Sequence, residues 1–325
     1  MSTLALSSAR FPQRFLPVVA TFAVFVATFG AGSVRYENFA SGQVVANLFV
    51  DNSFLIVLAV GMTFVILTGG IDLSVGAVAA LSTMIAAATL NAGWPPLLSI
   101  VTVLGSGATL GLLMGLVIHH FEVQPFIVTL AGMFLARGLC FLISVESVSI
   151  TEPAFREFAS GAITLPGDIT LTYSVVIALA VVLAALYVLH LTRFGRTVYA
   201  VGGSESSARL MGLATSRAKV GVYVVSGFCS ALGGLLFSLY MLSGYGLHAV
   251  GMELDVIAAV VIGGTLLAGG TGYLLGSVVG VLVLGTVQSL ISFEGTLSSW
   301  WTKIVIGALL LVFIVLQRLI VRRQV

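Results

Sequence analysis

Asp72 and Arg137 are charged side chains at the edge of and within the long apolar runs of this chain, so chemistry is sought first at them. An unpaired charge in hydrocarbon costs at least about 2.5 kcal/mol, so each needs a partner, a cap or a water-filled cavity. Asp72 fits two roles. It can cap the helix that follows it, at an interface water still reaches, or line a pathway and pair with Arg137. Arg137 lies deeper in its run and needs a partner more urgently. Glu122 would complete a proton relay with these two. Enzyme signatures are missing: there is no G-x-x-x-x-G-K-[ST], H-E-x-x-H or G-x-S-x-G. His119 and His120 are adjacent, so on a helix they point about 100° apart and cannot grip one metal. Cys140 and Cys229 sit inside apolar runs and read as small core residues. Neither catalysis nor a bound metal or cofactor is expected of this chain.

The elements that carry these residues follow from composition. The chain is 59% hydrophobic and 8% charged, whereas soluble domains carry about 25% charged residues. A transmembrane barrel would show alternating ten-residue segments, which are absent. The expected fold is an all-α, polytopic membrane bundle over 1–325, with about ten transmembrane helices at roughly 20 apolar residues each. Apolar runs at 15–34, 44–68, 75–90, 97–118, 124–144, 169–191, 220–242, 256–268 and 273–292, and one after Trp300-Trp301, supply them. The first, preceded by Arg10 and Arg14, is long for a signal peptide and reads as an uncleaved span. Ten crossings place both termini and the segment 192–219 on one side. That side carries ten Lys/Arg and two acids, Glu122 and Glu205; the other carries Arg35, Arg156 and Lys303 with nine acids, Asp168 among them. The basic side is expected to be cytoplasmic.

Segment 192–219 is the longest cationic interruption, with Arg193, Arg196, Arg209, Arg217 and Lys219 against Glu205, and it reads as a docking surface. Gly202-Gly203 permit a sharp reversal, Ser204 an N-cap, Glu205 a favourable dipole contact and Gly212 a left-handed stop. About two helical turns result, marginal alone, so a packing partner is implied. The plainer alternative is a basic loop held by lipid headgroups. Gly107, Gly111 and Gly115, and likewise Ser226, Ser230 and Gly234, make smooth faces for close helix packing. Gly69-Gly70 interrupts a run just before Asp72, with Gly76 six residues beyond Gly70. The spacing recurs at Gly269-Gly270 and Gly276. Paired broken spans often mark a transport pathway, although this threading runs both copies in one direction.

FLIVLAVGMTFVILTGGIDLSVGAVAAL, TRFGRTVYAVGGSESSARLMGL and VIGGTLLAGGTGYLLGSVVG resemble the permease subunits of bacterial ATP-binding-cassette (ABC) importers of the ribose, xylose and galactose type. SVESVSI at 144–150 and FEGTLSSWWTKI at 293–304 most resemble a permease of galactofuranose importers. The resemblance implies an inner-membrane subunit working with a second permease, a cytosolic ABC ATPase that uses the ATP and magnesium, and a periplasmic sugar-binding protein. Nucleic acid has no part in it. It also implies that Gly202 to Gly212 is the coupling helix seated in the ATPase; the expected mechanism is alternating access, with ATP-driven closure of the ATPases moving the helix at 204–212. A neutral sugar needs hydrogen-bonding groups and aromatic faces, for which Asn52, Thr63, Ser238, Tyr240 and Gln288 are candidates. The rival readings are an ion-gradient-driven secondary transporter using Asp72, Glu122 and Arg137, and a membrane scaffold without transport.

Overall fold

A computed structural model describes residues 16–167, 169–296, 298 and 300–322. Arg10, Arg14, Asp168, Arg323 and both chain ends, on which part of the charge count rests, lie outside the described residues. The chain folds in order through α1 (Leu16–Arg35), α2 (Gly42–Leu67), α3 (Val75–Asn91), α4 (Pro96–His120), α5 (Pro125–Ile143), β1 (Val148–Ser149) and α6 (Pro153–Ser160). Next come β2 (Ala162–Leu165), β3 (Ile169–Thr172), α7 (Tyr173–Leu191), α8 (Arg193–Gly203), α9 (Glu205–Leu210) and α10 (Thr215–Met241). It closes with β4 (Ser243–Gly244), α11 (Met252–Ile262), α12 (Leu274–Glu294) and α13 (Trp300–Arg322). Among the described residues seven helices, α1, α2, α4, α5, α7, α10 and α12, are long and apolar enough to cross a membrane.

Helix boundaries follow local chemistry. Pro96 and Pro125 open α4 and α5 at positions where a missing N–H is harmless. The helix expected over 256–268 starts earlier and stops at Ile262, because Gly264 turns left-handed at φ +91°. With 11 residues α11 spans about 16 Å, roughly half of a hydrocarbon core. The connection before it packs into the bundle. Gly244 packs against Thr83, and Ala249 and Glu253 lie beside Gly76. The first turns of α3 and α11 therefore adjoin inside the bundle.

Helix α10 is the hub. The face of Gly107, Gly111 and Gly115 on α4 lies against the α10 backbone at Gly227, Tyr223 and Val220, with no room for side chains at the first two contacts. Gly234 accepts Ala79 and Ser82 of α3 in the same way, and Gly61 of α2 meets Ser226. Small residues gain their packing energy here by letting backbones approach. At the acid-rich end, Tyr36 donates to Glu294, Asn91 to Ser149 O (2.7 Å) and Lys303 pairs with Asp255 (2.6 Å). Strands β1 and β4 pair antiparallel, Val148 opposite Gly244, and β2 and β3 form a hairpin beside them in the chain.

Candidate functional site

At the other end three diglycines meet. Helix α2 stops at Leu67, and Gly69 turns the chain at φ +80°. Between α11 and α12, Gly269 (φ +85°) and Gly270 (φ +76°) bring the Gly270 N–H onto Leu67 O at 2.9 Å. Gly202, in the last turn of α8, covers this bond so closely that a Cβ would strike Leu67 O and Gly270 N. A Cβ on Gly270 would stand 2.9 Å from Gly203, and one on Gly269 would stand 2.7 Å from the Gly69 nitrogen. The sequence marks these pairs separately; the fold joins them into one backbone contact.

The cationic segment continues from this junction. Helix α8 turns Gly195, Thr197, Val198 and Val201 inward and leaves Arg193 and Arg196 exposed. The Tyr199 phenol donates to Gly272 O (3.0 Å), and burial pushes its pKa above the usual tyrosine range. Gly202-Gly203 do not reverse the chain as expected. They finish α8, because Gly202 serves there as a contact point, and the turn falls on the extended Ser204. Ser204 Oγ accepts from Ser207 N (3.3 Å) and opens α9, while Gly212 closes it at φ +75°. Glu205 pairs with Lys219 (2.5 Å) and reaches Arg209 (3.5 Å). Ala208 is buried, whereas Leu210 and Met211 are 90% and 68% exposed. Beneath α9 lies a cavity of about 890 Å³, lined by Gly69, Gly70, His119, Glu122, Glu205 and Lys219 among others.

Asp72 and Arg137 do not pair. Asp72 is fully buried, not washed by interfacial water. Its carboxylate accepts from Ser74 N (2.9 Å), Ser74 Oγ (2.6 Å) and Ser226 Oγ (2.6 Å). It thus fixes Ser74, the residue before α3, and ties it to α10. Arg137 instead donates from Nη1 to Gly246 O (2.6 Å) and His248 O (2.7 Å), holding the inserted connection against α5. A relay through Asp72, Glu122 and Arg137 has no hydrogen-bonded route among the described residues. The sugar candidates also divide. Asn52 donates to Leu48 O and packs on Gly285, Thr63 bonds Ala59 O and Ser277, and Ser238 bonds Gly234 O; all three are buried helix contacts. Gln288 and Tyr240 are exposed, and the Tyr240 hydroxyl donates to Asp51 at 3.4 Å. Sequence reading missed His248 and Glu253. Their polar context gave them to an aqueous loop, yet His248 Nδ1 and Glu253 Oε2 are buried without a hydrogen-bond partner among the described residues.

The family described as branched-chain amino acid transport system / permease component matches residues 44–314. The chain belongs to that permease family. The permease is 47% identical to the inner membrane ABC transporter permease protein YjfF of Escherichia coli K12, over 94% of this chain and 93% of that one. It is 42% identical to the fructose import permease protein FruG of Bifidobacterium longum, over 94% and 92% of the two chains. The ribose import permease protein RbsC of Escherichia coli K12 is 36% identical, over 88% of each. No solved structure matches the permease. Membership makes it a transport component rather than an enzyme, and it is a multi-pass membrane protein.

Proposed function

We propose that the permease is the membrane subunit of an inner-membrane ABC importer that carries a monosaccharide, galactofuranose or a related sugar, into the cytoplasm by alternating access. Relatives named for ribose and fructose import support the sugar class, and the segments 144–150 and 293–304 support galactofuranose within it. A second permease, a cytosolic ATPase and a periplasmic binding protein complete the assembly. The observation that carries the mechanism is the diglycine junction. A partner gripping α9 through Arg209, Leu210 and Met211 moves Gly202 and Gly203, and these press directly on the breaks after α2 and α11. Gly69, Gly70, Asp72, Gly269 and Gly270 are then hinge residues of the pathway, with Arg137 anchoring its inserted segment. Lifting a solute against each tenfold of gradient takes about 1.4 kcal/mol, which a passive scaffold cannot supply.

Uptake of radiolabelled sugar by vesicles holding the whole importer tests this. Inhibition by vanadate, with indifference to a protonophore at constant ATP, is expected. Collapse under the protonophore would assign the permease to ion-driven transport instead.

A further inference from the structure

Five rings form a continuous path on the part-exposed face where α2, α10 and the inserted connection meet. Tyr240 stands 6.2 Å from Phe54, Phe54 is 4.9 Å from Phe237, Phe237 is 5.2 Å from His248 and His248 is 5.6 Å from Tyr245, all between centroids. The spacing is helical on both sides: Asp51 and Phe54 on α2, Phe237 and Tyr240 on α10, each three residues apart and so on one face. None of the five rings is fully buried. Polar groups stand at both ends: the Asp51 carboxylate beside the Tyr240 hydroxyl at one, and at the other the Arg137 guanidinium, which holds the connection through Gly246 O and His248 O.

We infer that this row of rings is a monosaccharide-binding strip on the transport pathway, with Phe54, Phe237 and His248 as stacking faces and Asp51 and Tyr240 as hydroxyl partners. The chemistry suits a neutral sugar. Its C–H faces lie on aromatic rings, and its hydroxyls require fixed polar groups with bonding capacity left over: Asp51 has a second carboxylate oxygen, and the Tyr240 oxygen, which donates to the first, can still accept. A purely apolar solute would desolvate Asp51 without replacing the lost water, and an anionic one would be repelled by it. The inference rests on the sugar-import reading and adds to it a location on this chain. The polar residues picked from sequence inside α2 and α10, Asn52, Thr63 and Ser238, are turned away into helix contacts.

The test uses the complete importer in proteoliposomes with radiolabelled D-galactose, D-ribose and D-fructose as probes, comparing Phe237→Leu, Tyr240→Leu and Phe237→Tyr. Both leucine variants are expected to cut uptake of whichever sugar the native importer carries by about tenfold, the scale of one lost ring contact, and Phe237→Tyr to restore it. Co-purification of the ATPase with each variant checks folding, and Tyr240, 53% exposed, is a position where leucine leaves packing intact. Native-level uptake in the leucine variants overturns the strip alone. Loss of ATPase co-purification in both leucine variants overturns it too, since the rings are then packing. If the native importer carries none of the three sugars and galactofuranose, added as a fourth probe, is not carried either, the import reading fails and the strip falls with it.

Discussion

The Gly270 N–H donates to Leu67 O at 2.9 Å, so the last turn of one broken span is finished by the backbone of the turn before another. A helix end leaves its final carbonyls without intrahelical donors, and buried carbonyls must find partners elsewhere. Here the partner comes from the connection between α11 and α12, and Gly202 of α8 lies across the bond. Displacement of α8 along its axis therefore disturbs both turns at once. Two chain breaks are linked by one backbone hydrogen bond.

Alanine substitutions separate the contact from the surface beside it. Gly270→Ala places a side chain at φ +76°, which costs about 1–2 kcal/mol, and crowds the Gly203 backbone for roughly 1–3 kcal/mol more. Gly202→Ala drives a Cβ into Leu67 O and Gly270 N and should destabilise by a similar amount. At Gly203 a Cβ meets nothing within 4 Å, so Gly203→Ala should stay within about 0.5 kcal/mol. Melting temperatures of the detergent-solubilised permease check the order: the first two variants lowered by several degrees, the third unmoved. Equal stability in all three would mean the junction is looser than its geometry.

Asp72 is built to accept three hydrogen bonds, from Ser74 twice and from Ser226. Ser226→Ala removes one bond to a charged group, for about 1.5–3 kcal/mol. Exchanging the charges, Asp72→Arg with Arg137→Asp, should leave the protein as defective as the worse single variant. A guanidinium at 72 leaves the Ser74 N–H without its acceptor, and a carboxylate at 137 has no donor for Gly246 O and His248 O. Recovery of expression and uptake in the exchanged protein would instead show that the two charges meet at some stage of transport.

The helices that cross the bundle were legible because each needs a long apolar run, and the glycine faces because close packing leaves a spacing in the sequence. Helix α8 was not, although its inward Thr197, Val198 and Val201 follow helical spacing. Arg193 and Arg196 drew attention to its wet face and it read as loop. The meeting of Gly69-Gly70, Gly202-Gly203 and Gly269-Gly270 could not be read at all, since no local pattern encodes which distant turns touch. The inserted stretch around Tyr245 and His248 was lost for a third reason. Its backbone is bonded by Arg137 from another helix, so its burial depends on a partner far away in sequence.

That dependence makes Arg137 a test of the inserted segment. Arg137→Met keeps much of the volume but strands Gly246 O and His248 O, each buried carbonyl losing about 1–3 kcal/mol. Amide hydrogen exchange over 245–251 should then accelerate by at least about tenfold while α2 and α10 keep their protection. Unchanged exchange would show that the β1–β4 pairing alone holds this segment in place.

Helix α9 offers the sharpest test of coupling. Leu210 and Met211 are large apolar side chains left bare at the tip of a six-residue helix, with Arg209 beside them, and an isolated helix of that length is marginal in water. A partner that covers them gains apolar burial of about 1.5–3 kcal/mol per side chain, and an acidic residue there forfeits it. Leu210→Asp and Arg209→Glu should therefore abolish sugar-dependent ATP hydrolysis and uptake in the assembled importer. Ala208 and the Glu205–Lys219 pair remain, and Arg209→Glu costs only the exposed Arg209–Glu205 pair, about 0.5 kcal/mol, so insertion should not change and the melting temperature should barely move. A cysteine at Met211 should in turn crosslink to the ATPase subunit. Normal transport in both variants, or a crosslink only to reagents confined to the outer face, would remove α9 from the coupling path.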